Sequence, residues 1–507
     1  MKKLFTIIAV ALLISCPDNT MAQSISVDIT SGGLEKALGG ENNYTALTIR
    51  GSIDVRDFAY INQYIDGLVS IDLSQCEITG YDSREEQYFG YRSHFEANEI
   101  PPASFFGFTS LESVKLPEST TAINDGAFAG CSKLNQITWP AAIETIGDYA
   151  FNSCDALDSP IFPASLRTIG DYAFNKCSSI EELDFTNCTR LTKIGACAFS
   201  LDTSLTTIQL PASITYLGDG ALAGCYNLKN VNMQPCTLQM GDAVFAQCHS
   251  LQQIDLSQTW LQRLPAWSFS GCKILASAIL PASLTHIEEG AFYYCEALTT
   301  ASLPAGITTL ADFAFAGCKG LDSITFMEEG LEQIGRYSFY HNTAADSVAI
   351  PTTVAYIGDH AFDGCINARS FLSLRDMPAE LGELVFANMD VENKSLYVKE
   401  ESVAIYSSTP QWQDFGYINA PSAEEKVMAP EKRIKTSFEH YLLRVTATEI
   451  MDEVRLYDTA GLLLKQVAPH DSEVVIDTRS FPGNIYILHI TTADKEQAAL
   501  KIARIIR

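Results

Sequence analysis

One position recurs thirteen times between Phe105 and Phe386 at almost constant spacing. It is held by Phe105, Phe128, Phe151, Phe174, Phe199, Leu222, Phe245, Phe269, Phe292, Phe315, Phe339, Phe362 and Phe386; eight of the twelve intervals are 23 residues, three are 24 and one is 25. The surrounding residues repeat too, as in Ala150-Phe151-Asn152-Ser153-Cys154 and Ala314-Phe315-Ala316-Gly317-Cys318. A period in this range means one supersecondary unit stacked on copies of itself, because a unit this small cannot bury its own apolar face. More than half of the chain is committed to that array.

A single unit reads as two short strands and two turns. Leu111-Glu112-Ser113-Val114-Lys115-Leu116 ends in the period-two alternation of a half-buried strand. Pro117 stops it, and proline returns at the same place as Pro140, Pro163, Pro211, Pro281, Pro304 and Pro351. A second short apolar pair follows, such as Ile143 and Ile146. Glycine then stands at 147, 170, 195, 218, 241, 335, 358 and 382, where a tight reversal or left-handed backbone is expected. Ala173, Phe174, Cys177 and Ile180 fall at i, i+1, i+4 and i+7, which predicts one face of a short helical turn. Stacked, the strands form a parallel sheet and the phenylalanines a continuous ladder, in a body on the order of 60 Å long.

The L-x-x-I-x-L-P, I-G-x-x-A-F and C-x-x-L runs, repeated from about residue 100 to 420, resemble the BspA-like bacterial subfamily of leucine-rich repeats. The resemblance implies an extracellular or surface protein that binds host proteins or other cells, with no shared catalytic residues.

Nine of the fourteen cysteines stand three residues after the phenylalanine position: Cys131, Cys154, Cys177, Cys225, Cys248, Cys272, Cys295, Cys318 and Cys365. Equivalents in consecutive coils include an unbroken run of five from Cys225 to Cys318, and an odd run cannot pair completely. A reduced thiol behaves as a small apolar residue suited to a crowded corner, so a core ladder of free cysteines is expected. A few disulfides between adjacent coils remain compatible with the spacing. Cys76, Cys188 and Cys236 fall on non-adjacent turns and are read as turn-lining.

If the apolar strand positions point inward, the residues between them face solvent. The candidate ligand-binding residues are therefore Gln136, Thr138, Thr207, Gln209, Asn230, Asn232, Gln253 and Asp255, within a longer row that also holds Ser113, Lys115, Glu182 and Asp184. Small neutral polar groups of this kind suit a broad contact with protein or glycan better than a tight pocket.

No catalytic residues are assigned. The chain lacks the nucleophile-elbow, zincin, Walker and dinucleotide-glycine motifs, and its eight histidines are scattered without ligand spacing. Neither a metal nor a cofactor is expected. A break in the array could house a site, and the largest irregularity in spacing is the 25-residue coil from Phe174 to Phe199, too small for one. A net charge of −27 with no basic cluster argues against nucleic acid as a partner.

Residues 1–22 read as a signal peptide: Lys2-Lys3, then an apolar run from Leu4 to Ile14 too short to span a bilayer. Cleavage between Ala22 and Gln23 is preferred, with a lipoprotein signal ending at Cys16 as the competing reading. The mature chain then has no transmembrane segment, and it reaches the outer cell surface or is secreted. Residues 23–99 are read as an N-terminal cap with degenerate repeats at Leu47–Gly51 and Leu68–Ser74, a short helix in 57–68 and an inserted aromatic loop at Asp82–Asn98. Residues 100–390 form the solenoid, 391–420 a C-terminal cap built on Tyr406, Trp412 and Phe415, and 421–435 a linker.

Six short strand-like segments follow in 436–507, which predicts a small all-β sandwich. Val454-Arg455-Leu456-Tyr457-Asp458-Thr459-Ala460-Gly461 and Pro482-Gly483-Asn484-Ile485-Tyr486-Ile487-Leu488 resemble the C-terminal sorting domain of the type IX secretion system. That resemblance implies the secretion machinery as a second partner. The predicted whole is a leucine-rich repeat solenoid, a parallel sheet with short helical turns, followed by a β-sandwich. Its predicted function is non-enzymatic binding of an extracellular protein, through adhesion to host or bacterial proteins. The alternative is a carbohydrate-binding or scaffold component of a surface nutrient-uptake assembly.

Overall fold

The computed structural model describes residues 23–83, 87–89, 94–304, 306–325, 330–420, 434–439, 442–457, 463–479, 485–492 and 497–503. The expected signal segment, with Cys16, lies outside them, as does most of the expected linker. The chain divides into two compact units at Ala420/Pro421.

Each repeat forms one coil, and each strand pairs only with its equivalent in neighbouring coils. The first strands pair in parallel, as in Thr207↔Asn230, Ile208↔Val231 and Gln209↔Asn232. The second strands are two residues long and pair likewise, with Thr145↔Thr168 and Ile146↔Ile169. Between them the repeating proline heads a turn: the Pro140, Pro163 and Pro211 carbonyls accept the N–H of Ile143, Leu166 and Ile214 at 3.1–3.2 Å. The apolar strand residues, the phenylalanines and the cysteines make one continuous core from Val27 to Phe415.

The phenylalanine segment is not the short helix its periodicity suggested. Tyr149 and Ser153 have φ of 58° and 59°, and Tyr172 and Lys176 have φ of 57° and 62°. Left-handed residues flanking Phe151 and Phe174 turn alternate N–H groups in opposite directions. Those of Asn152 and Cys154 close four-residue turns onto Tyr149 and Phe151, at 3.0 and 3.1 Å. Those of Tyr149, Phe151 and Ser153 cross to the carbonyls of Asp171, Ala173 and Asn175 in the next coil, at 2.7–2.8 Å. The phenylalanine position therefore serves twice. Its N–H is a rung between coils, from Phe105→Ala127 to Phe362→Val385, and its ring stacks on the ring above. Ring centroids lie 5.1–6.1 Å apart with planes within 14°. Leu222 interrupts the ring ladder but keeps its rung, donating to Val244 at 3.0 Å.

All thirteen cysteines from Cys76 onward are free. The nine ladder thiols each donate to the phenylalanine-position carbonyl of the preceding coil, as in Cys154 Sγ to Phe128 O and Cys177 Sγ to Phe151 O, both 3.1 Å. Cysteine is thus the residue small enough for the corner that still gives a second hydrogen bond to a buried carbonyl.

The recurring glycines correct a second expectation. Gly147, Gly170 and Gly241 do not use left-handed backbone. A Cβ on Gly147 would lie 2.7 Å from the Asp125 nitrogen, and one on Gly241 would lie 2.1 Å from Asp219 Oδ1. Space is the constraint, and the aspartate at the equivalent edge of the preceding coil fills it, Asp125 at Gly147 and Asp219 at Gly241. Asp148 Oδ1 accepts the Asp171 N–H at 2.7 Å and Asp219 Oδ1 that of Asp242 at 2.9 Å, a carboxylate ladder along the coil edge.

At the N-terminal end, strands Ser24–Ile29, Ala46–Ile53 and Ser70–Ile78 continue the first-strand sheet. Helix Val55–Tyr64 begins in a reciprocal capping box between Asp54 and Asp57. Within the aromatic loop, Tyr81–Asp82 pairs with His94–Phe95, Tyr88 packs edge-on to Tyr81 at 5.9 Å, and Phe89 packs against the core; Gly90 and Tyr91 lie outside the described residues. At the other end, the Gln411 side chain substitutes for a further coil. Its Oε1 accepts the Val385 N–H at 2.8 Å and its Nε2 donates to Gly382 O at 2.6 Å. Beside it the buried Trp412 donates Nε1–H to Ala379 O at 3.0 Å, and Tyr406 shares a 2.8 Å hydrogen bond with Ser373.

The second unit is antiparallel. Its described strands, Ile434–Glu439, Leu442–Tyr457, Leu463–Val467, Asp471–Asp477, Ile485–Thr492 and Gln497–Ala503, form one sheet organised on the 16-residue strand Leu442–Tyr457. The sequence reading splits this strand in two and places Ile434 in the linker. Leu443, Val445, Val454, Leu456, Ile476, Leu488 and Ile490 form its core.

Candidate functional site

The predicted binding residues all reach the surface of the first-strand sheet, but not as one row. The sheet is interrupted where Ser159–Ile161 forms no strand, and again between Asn230–Met233 and Gln253–Asp255. Gln136 therefore belongs to one sheet, Thr207, Gln209, Asn230 and Asn232 to a second, and Gln253 and Asp255 to a third. The middle group is a true cluster, paired side by side with Glu182 and Asp184. Thr138 and Asp255 have structural duties: Thr138 Oγ1 accepts the Leu116 N–H at 2.8 Å, and Asp255 Oδ1 accepts that of Ser257 at 2.9 Å.

A second feature lies on the second-strand sheet, and the spacing of the repeats does not betray it. In eleven coils the residue at the glycine position donates its N–H to the apolar residue of the previous coil, from Asn124→Ile100 to Gly382→Ile357, at 2.7–3.1 Å. In the twelfth the residue is Pro265, which has no N–H to give to Met240. Among the described residues the sheet ends at Gln239–Met240 and restarts at Arg263–Leu264. The coils remain in contact on either side, through the Cys236↔Thr259 bridge and the 2.8 Å bond from Ala243 N to Ala266 O.

The parting opens a cleft of about 810 Å³, lined among others by Tyr216, Met240, Asp242, Trp260, Arg263 and Glu289. Trp260 is 70% exposed on its wall. Arg263 forms an ion pair with Glu288, which leaves the carboxylates of Asp242 and Glu289 to set the sign of the cleft. A smaller depression of about 450 Å³ shares Glu288 and Glu289 and runs on to Arg336 and Tyr356. Sequence reasoning looked for a break in the phenylalanine spacing and found only the 25-residue coil. The useful signal was Trp260 followed five residues later by a proline in the glycine column.

Among the described residues, no three His, Cys, Asp or Glu side chains gather as metal ligands, and no helix is long and apolar enough to cross a membrane. The ladder thiols are held in their neutral form; burial pushes Cys131, Cys272 and Cys365 up to about 12. They are inert core groups rather than nucleophiles.

Coils, ladders and open sheet faces define a parallel-sheet repeat solenoid. Residues 98–229, 187–299 and 285–408 match the BspA type leucine rich repeat region in six copies, and the chain belongs to that family. Solved structures to which the chain is similar include a leucine-rich repeat protein from Bacteroides ovatus, 22% identical over 73% of this chain and 94% of that one, TM-score 0.37. A leucine rich cell surface protein from Faecalibacterium prausnitzii is 20% identical over 75% of this chain and 95% of that one, TM-score 0.32. The pneumococcal vaccine antigen PcpA is 17% identical over 83% of this chain and 99% of that one, TM-score 0.36. No curated protein matches the chain.

Proposed function

We propose that this chain is an exported, non-enzymatic binding protein that adheres to an extracellular host or bacterial protein through the exposed face of its first-strand sheet. The observation that carries the reading is the in-register cluster of Thr207, Gln209, Asn230 and Asn232 beside Glu182 and Asp184. It is a rigid polar surface with no assembled chemistry. Open sheet faces of this kind form extended contacts whose strength comes from area and complementarity. Binding of the chain from Gln23 onward to matrix proteins, host cells and other bacteria tests it. Replacing Thr207, Gln209, Asn230 and Asn232 together by lysine is expected to weaken the contact at least tenfold. Unchanged binding by that variant, or no binding to any of these targets, overturns the reading. A glycan array run alongside separates it from the carbohydrate-binding alternative.

The C-terminal unit is read as a type IX sorting domain folded as a sandwich. The described parts of the two segments that carry the resemblance support this by pairing, with Leu456↔Leu488 and Tyr457↔Ile487 in register. Deletion of residues 436–507 is expected to abolish surface delivery while leaving the repeats folded; normal delivery without them excludes the role.

A further inference from the structure

We propose that the cleft between Gln239–Met240 and Arg263–Leu264 is a second binding site, for an extended basic segment of a partner protein. It goes beyond the function proposed above, since it lies on the second-strand sheet and shares no residue with the Thr207–Asn232 cluster.

Four observations converge on that occupant. The missing donor at Pro265 leaves the carbonyl of Met240, a residue that lines the cleft, without the N–H that the eleven equivalent carbonyls receive, and an incoming peptide backbone supplies N–H groups of this kind. Trp260 turns most of its surface to solvent at the cleft wall, and an indole face is the strongest aromatic partner for a lysine or arginine head. With Arg263 matched by Glu288, the Asp242 and Glu289 carboxylates give the cleft an unbalanced negative charge, in a chain whose net charge is −27. That field attracts a basic segment and repels phosphate-rich or acidic-sugar polymers. The continuation past Glu288 and Glu289 to Arg336 and Tyr356 suits a chain-like occupant better than a compact one.

The test is titration of the full mature chain with an octapeptide of alternating lysine and valine, followed by tryptophan fluorescence and calorimetry at low and high salt. The acidic glutamate–valine octapeptide and a neutral gluco-oligosaccharide serve as comparison ligands. The lysine peptide is expected to bind saturably and to weaken severalfold as salt rises, and the acidic peptide not to bind. Trp260→Ala, and separately Asp242→Asn with Glu289→Gln, are expected to weaken binding at least tenfold without moving the thermal unfolding midpoint. Pro265→Gly, which restores the donor to Met240 and closes the sheet, is expected to weaken it by a similar factor. The lysine-substituted Thr207 cluster keeps peptide binding, so failure of the sheet-face reading and failure of this one give different results. Equal binding by wild type and Trp260→Ala overturns the proposal, because it reduces the effect to unspecific attraction. Trp260-dependent binding of the neutral oligosaccharide in place of the peptide overturns it too.

Discussion

The carboxyl of Asp202 stands where nine other coils place a cysteine, and its Oδ1 accepts the backbone N–H of Cys177 at 2.8 Å. Its Oδ2 is buried without a partner among the described residues. Burial pushes the Asp202 carboxyl well above the usual carboxylate range. A folded value raised above the unfolded one means stability is complete below the ordinary aspartate range and is lost as pH rises through the folded value. At neutral pH the residue therefore opposes folding. Asp202→Cys, which restores a neutral donor of the right size, is expected to stabilise the repeat unit by about 1–3 kcal/mol at pH 7. It should also flatten the pH dependence between 5 and 8, read by urea unfolding at about half-unit steps. A variant no more stable than the parent contradicts this account.

The thiol ladder makes the opposite end of the pH scale informative. Cys131, Cys272 and Cys365 sit at about 12 in the fold against 9.0 ordinarily. By the same sign rule the fold is indifferent to them below pH 9 and loses stability as pH climbs from 9 towards 12, by up to about 1.4 kcal/mol per thiol for each pH unit. Alkylation should be silent in the native protein at pH 8 and complete after unfolding. Rapid labelling of the native ladder would show that the coils open locally.

Gly147→Ala tests why the glycine column exists. The added methyl would meet the Asp125 nitrogen at 2.7 Å, so neighbouring coils must part. A loss of about 1–3 kcal/mol is expected from the forced shift alone, measured by thermal or denaturant unfolding. At Gly39 the same added carbon meets nothing within 4 Å. A Gly39→Ala change carries only the cost of its left-handed backbone.

The C-terminal seal should fail locally before it fails globally. Gln411→Ala removes both hydrogen bonds that imitate a further coil and is expected to cost about 1–3 kcal/mol. Faster amide exchange should be confined at first to the last coils, around Gly382–Phe386. Trp412→Ala, which empties a fully buried site, is expected to cost about 3–5 kcal/mol. Uniform loss of protection along the whole solenoid in Gln411→Ala would argue that no local seal exists.

Much of this architecture is legible in the chain itself. Apolar spacing, the proline stops and the cysteine column define a parallel two-strand coil, because each is a local rule repeated until chance is excluded. The errors share a cause. Ala173, Phe174, Cys177 and Ile180 have helical spacing yet form no helix, since the left-handed Tyr172 and Lys176 turn alternate N–H groups of the segment to the next coil. The glycines look like reversal points, yet Gly147 is dictated by the atoms of Asp125, a residue 22 positions away. Period alone cannot separate a bond made within a segment from one made between segments.

What the sequence determined by itself is the repeat: its length and its buried side. Only the tertiary structure decided where that regularity fails. Pro265 replaces one N–H in a column of eleven donors, and the loss leaves the 24-residue interval from Phe245 to Phe269 undisturbed. Its consequence appears only when two coils lie side by side and the Met240 carbonyl receives no N–H from position 265. Sheet pairing is a property of neighbours, so the cleft at Trp260 belongs to the stack and to no single coil.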